Sequence, residues 1–244
     1  MDLSTLLFAI LVLMNLLILL LVICTLYEFY KLDHEQFKYY IIGLCFYGIS
    51  ITSFLFEFII LPPLNDYELA VTNIGMTLGI ILGMFYFLKG TKYLAQQEQF
   101  DTTKNEREFK VLLYFIITIL IGSLILSISQ FIFSKSVYTV LDIIVYILYV
   151  TIVSLSLKLF LEYRTAFNES IRRVISQYIL AVLLVLIGGL VITVFLIPIR
   201  VDGATLLELS LLRKSIAIFG AFIILIPFII CYRSVSKFRK LLTG

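Results

Sequence analysis

Residues 3–26 read LSTLLFAILVLMNLLILLLVICTL, a run of 24 positions without a single charged side chain. About 20 predominantly apolar residues in a helix cross the roughly 30 Å hydrocarbon core of a bilayer. A helix on the surface of a water-soluble domain keeps a polar face. This run has none, and it predicts a transmembrane helix. It follows Met1 and Asp2 directly, with no basic residue before it and no small-residue cleavage site after it. It is therefore expected to be retained rather than removed as a signal peptide.

The pattern recurs along the chain. Hydrophobic residues make up 61% of the 244 positions and charged residues 14%, whereas a soluble domain carries about a quarter charged residues. Apolar segments of spanning length fall at about 3–26, 39–61, 69–88, 111–133, 138–161, 174–197 and 211–232, the last most apolar from Ser215 onward. The second stops at Pro62-Pro63 and the sixth at Pro198, where a helix does not readily continue. The longest polar break, 89–110, carries QQEQ and TTKNERE. The expected fold is an all-α integral membrane protein, a seven-transmembrane-helix bundle forming a single domain over 1–244.

Basic residues give the bundle a direction. With the N-terminus outside, 15 of the 19 Lys and Arg fall in segments on the cytoplasmic side, and only Lys135, Arg200, Arg213 and Lys214 fall outside. Short loops rich in Lys and Arg stay in the cytoplasm. The N-terminus is thus expected outside, the C-terminus in the cytoplasm, and the chain as a multi-pass protein of the cell membrane. A formal charge of +3 implies no nucleic-acid partner. The partners expected are the lipid bilayer and either a cytoplasmic protein or a second copy of the chain.

Ionisable residues inside spans are costly and therefore informative. Glu57 and Asp142 each lie about one helical turn inside the outer end of their spans, and Arg213 and Lys214 stand at the outer boundary of the last. With Asn73 at the same depth, they form a candidate ligand or ion site open to the outside. The alternative is a set of interfacial side chains reaching toward headgroups. Asn15, nearer mid-membrane, is expected to hydrogen-bond to a neighbouring helix. Gly75, Gly79 and Gly83 recur at intervals of four, a face on which two helix backbones approach closely in lipid. Such a face serves close packing within the bundle, homodimerisation, or sliding. Arg233, Lys237, Arg239 and Lys240 form a basic tail suited to anionic lipid or a cytoplasmic partner.

Several chemistries are not represented. HExxH, GxSxG, a glycine-rich phosphate loop and a Cys/His cluster are all missing from the sequence. No enzymatic activity, metal or cofactor is expected. Cys24, Cys45 and Cys231 are odd in number and lie within apolar segments, which argues against a disulfide framework. The seven-span plan is shared by microbial rhodopsins, G-protein-coupled receptors and small sugar transporters, but the motifs of these families are missing. Lys214 is at the end of the last span rather than its middle, residues 226–232 read IPFIICY without Asn-Pro-x-x-Tyr, and neither span 1 nor span 5 contains proline. Plan alone does not assign function.

Three readings of function follow. The first is a receptor-like sensory or signalling bundle with an outward polar site and a cytoplasmic basic face. The second is a small-solute transporter or channel with a three-plus-one-plus-three plan over 1–88 and 138–232. That repeat rests on FIILPP at 58–63 against FLIPI at 195–199, and on LYEFYK at 26–31 against LEYR at 161–164. The third is a structural or assembly subunit of a membrane complex.

Overall fold

The computed structural model describes residues 3–31, 37–55, 66–129, 135–177, 179–180, 183–184 and 211–243. All regular structure among them is helical. Six helices are α1 (Leu3–Tyr30), α2 (Lys38–Leu55), α3 (Asp66–Gln97), α4 (Glu106–Ser129), α5 (Lys135–Tyr163) and α7 (Leu211–Thr243). Between α5 and α7, α6 begins at residue 169 and is described over 169–177, 179–180 and 183–184. Three segments, Thr5–Glu28, Thr103–Ile125 and Ile218–Lys237, are long and apolar enough to cross a membrane. Those are the marks of a membrane protein.

Hydroxyl and amide groups inside these apolar helices fold back on their own backbone. Thr25, Thr118, Thr151 and Ser154 each donate to the carbonyl four residues earlier, at 2.7 to 2.9 Å. Such bonds satisfy a polar group where no water is at hand. Asn15 does the same: its amide donates to the Leu11 carbonyl of α1 at 2.8 Å, a bond within its own helix in place of the expected one to a neighbour.

The helices run further than the polarity of the sequence implies. Residues 89–110 were expected as one polar loop, yet α3 continues to Gln97 and α4 starts at Glu106. Lys, Gln, Glu and Ala are good helix formers, so a polar stretch of them prolongs a helix rather than ending it. The stop is a Schellman turn. The Phe100 N–H donates to the Ala95 carbonyl and the Gln99 N–H to the Gln96 carbonyl, both at 3.1 Å, with Gln99 in the left-handed region at φ 60°. The tail behaves alike, since α7 runs unbroken to Thr243 and carries Pro227 within it.

Helices α2 to α5 alternate in direction. Tyr40 meets Thr91, Gly43 meets Phe87, Tyr47 meets Gly83 and Ser50 meets Gly79, so α2 and α3 match level for level in opposite directions. Lys92 meets Glu106 across α3 and α4, and Lys158 meets Glu108 across α4 and α5. The connections 98–105 and 164–168 therefore share one end, called here the loop end, with the last turns of α3 and α5. Helix α3 is central and touches α2, α4 and α5, while α1 packs against α2 and α7. One apolar core runs through Leu44, Ile81, Leu88, Leu112, Ile119, Ile152 and Leu159, each 2% exposed or less.

Candidate functional site

Among the described residues, the glycine seam brings α2 and α3 into backbone-to-backbone approach. A Cβ on Gly79 would lie 2.5 Å from the Phe46 carbonyl oxygen and 2.7 Å from the Ser50 nitrogen. One on Gly83 would meet the Tyr47 ring at 2.9 Å, and one on Gly75 would strike the Ser53 hydroxyl. From the other side, a Cβ on Gly43 would sit 2.9 Å from the Gly83 carbonyl oxygen. The three glycines of α3 thus face α2 of the same chain. The complementary small residues of α2, Gly43, Ser50 and Ser53, were missed in the sequence. Their signal is a spacing of seven and then three, one helical face read in reverse against α3.

Aromatic side chains flank this seam. The Tyr40 hydroxyl lies 2.9 Å from the Thr91 hydroxyl, and the Tyr40 ring meets Phe87 edge-on at 5.4 Å. Phe46 stacks on Tyr86 at 5.5 Å. Lys89, at the end of the third apolar segment, places its ammonium 4.8 Å from the centre of the Tyr39 ring. The ring faces partly replace its lost hydration.

Polar contacts gather at the loop end. Lys92 donates to Glu106 at 2.6 Å and lies 4.3 Å above the Phe109 ring. Lys158 donates to Glu108 at 2.5 Å, with Glu162 of its own helix at 3.8 Å. Glu106 and Glu108 thus tie the first turn of α4 to α3 on one side and to α5 on the other. Thr103 donates to Asp101 through both its hydroxyl, at 2.5 Å, and its N–H, at 3.0 Å. These bonds hold the Asp101 carboxyl below its ordinary range. Asn168 caps α6 by accepting from the Ile171 N–H at 3.0 Å. Arg172 donates to the Phe167 carbonyl at 3.1 Å, and Ser234 of α7 bonds Gln177 of α6.

Four residues of the expected outward site belong to the opposite end. Asn73 and Asp142 lie early in α3 and α5, and Arg213 and Lys214 lie in the first turn of α7. Their side chains are outside what the structure describes, as is Glu57 altogether. In the basic tail, Arg233 and Lys237 are exposed on α7; the side chains of Arg239 and Lys240 are outside the description. No group of His, Cys, Asp and Glu among the described residues is arranged to hold a metal ion. The chain matches no known protein family, no curated protein and no solved structure.

Proposed function

We propose that this chain is a seven-span protein of the cell membrane, N-terminus outside, acting without catalysis as a receptor-like sensory bundle. The observation that carries the reading is the closed loop-end half. Glu28 is the one charged side chain buried among the described residues; the other buried polar groups are Asn, Ser, Thr and the hydroxyls of Tyr40, Tyr47 and Tyr163. Bulky side chains such as Met84, Ile116 and Phe160 fill the space between helices. A packed apolar layer of this kind transmits movement between its two ends but offers a solute no polar path.

Helix lengths and charge support a bundle that crosses the membrane. At 1.5 Å per residue, α1, α3, α5 and α7 are each about 40 to 50 Å long, more than a hydrocarbon core. The loop end collects the Lys and Arg of residues 89–110, 158–173 and 233–240, as the cytoplasmic side of such a bundle does. In this reading Glu57, Asn73, Asp142, Arg213 and Lys214 form the outward polar site, and Arg233, Lys237, Arg239 and Lys240 face a cytoplasmic partner or lipid.

Cysteine accessibility in a background lacking the native cysteines tests both parts. Residues 104 and 243 should label from the cytoplasm and residue 202 from outside with an impermeant maleimide. A cysteine at Ile116 should stay unlabelled from either side. Labelling there would favour the small-solute transporter instead, and residues 104 and 202 labelling from one side would end the topology. Native purification with mass spectrometry of bound ligands and proteins separates a sensor from an assembly subunit.

A further inference from the structure

We propose that the outward face of α4 is a binding site for one anionic phospholipid, with Arg107 and Lys110 receiving its phosphate. The inference rests on the membrane reading above and adds a specific ligand to it. Arg107, Lys110, Tyr114, Ile117, Ile121 and Leu124 are all exposed and follow one another at intervals of three or four. That spacing places them on one helical face.

Their order is the order of groups along a lipid. Two cations come first, at the loop end. Tyr114 follows, 68% exposed, an amphipathic ring of the kind that settles at headgroup level. From there the face is aliphatic apart from Thr118, whose hydroxyl is turned back onto the Tyr114 carbonyl. Tyr114 to Leu124 covers about 15 Å at 1.5 Å per residue, which is half of a roughly 30 Å hydrocarbon core and hence one leaflet.

The cations are available because their acidic neighbours are engaged elsewhere. Arg107 stands between Glu106 and Glu108 in sequence, but Glu106 is held by Lys92 at 2.6 Å and Glu108 by Lys158 at 2.5 Å. Neither Arg107 nor Lys110 makes an ion pair with a described carboxylate, although Lys110 attracts Glu106, one turn back, at longer range. Helix α1 shows the same order at the same end, with exposed Leu20 and Ile23 leading to Tyr27 and Lys31. There the cation is already seated on its own aromatic, Lys31 lying 4.3 Å from the centre of the Tyr27 ring. On α4 the two cations are set side by side and open. Their continuation into an aliphatic stripe selects a lipid over free phosphate.

Native mass spectrometry of the full chain in neutral detergent tests this, with phosphatidylglycerol and phosphatidylcholine of matched acyl chains as probes. The wild type should retain phosphatidylglycerol in preference. Replacing Arg107→Gln and Lys110→Gln should weaken that retention by about fivefold for each cation removed and leave phosphatidylcholine unchanged. The pair Arg164→Gln and Arg173→Gln removes equal charge from the connection after α5 and the start of α6, off the stripe, and should change neither. Equal retention of the two lipids by the wild type would overturn the site while leaving the membrane reading intact. So would an equal loss in the control pair, or displacement of phosphatidylglycerol by millimolar inorganic phosphate. A chain that stays monodisperse without detergent or lipid would instead overturn the membrane reading itself.

Discussion

Gly79 and Ser50 touch so closely that a Cβ built on Gly79 would lie 2.5 Å from the Ser50 Cβ. Backbone stands on both sides of this contact, so neither helix can yield without shifting the other. Gly79→Ala is expected to cost about 1 to 3 kcal/mol, the usual penalty for overpacking. Gly83→Ala should cost less, because the nearest obstacle is the Tyr47 ring rather than α2 backbone. Gly48→Ala is the control: its Cβ would meet only Val22, at 3.7 Å, and alanine is the better helix former. Thermal unfolding in detergent should rank the three in that order, and a Gly48→Ala protein as unstable as Gly79→Ala would refute the packing argument.

Gln99 ends α3 in a left-handed conformation at φ 60°, where a side chain crowds the backbone. Gln99→Gly should stabilise the turn by about 0.5 to 1 kcal/mol and Gln99→Val should destabilise it by at least as much. Hydrogen exchange at the Phe100 amide, which closes the turn on Ala95, reports the change locally.

Lys158 serves two carboxylates unequally, Glu108 at 2.5 Å and Glu162 at 3.8 Å. A double-mutant cycle with Lys158→Met should give a larger coupling for Glu108→Gln than for Glu162→Gln. Lys158 is 53% exposed, so both couplings should be small and shrink in salt. A larger coupling for Glu162 would mean that the link between α4 and α5 is made by other groups.

Asn168→Ala removes the acceptor that the Ile171 N–H uses to start α6. A loss of about 1 kcal/mol is expected, with Asn168→Asp and Asn168→Ser close to wild type, because each restores the cap. Equal losses in all three would show that the side chain acts through something other than the cap.

Much of the helical class was readable because residues such as 3–26 leave a chain in lipid no alternative to helix. Helix ends were less readable where polarity and helix propensity disagree. The Lys, Gln and Ala residues near 92–97 look like a loop on a hydropathy scale but are strong helix formers, and the actual stop is a glutamine where glycine would have been the sign. Gly75, Gly79 and Gly83 stood out as a stripe, whereas the surface receiving them did not, because Gly43, Ser50 and Ser53 are spread over three turns. Glu106 and Glu108 stood out only as part of the polar break 89–110, and only their pairing with Lys92 and Lys158, distant in sequence, shows which way each one faces.

The seam between α2 and α3 carries a mechanical consequence. Five levels of contact, from Gly75 and Ser53 to Gly90 and Tyr40, are filled, four to the backbone or an aromatic ring and that of Gly75 to the Ser53 side chain. The two helices can neither slip by a turn nor roll over one another without collision, so they behave as one stiff plate. Any change of shape in this molecule has to be taken up at another boundary, with that plate as its fixed frame.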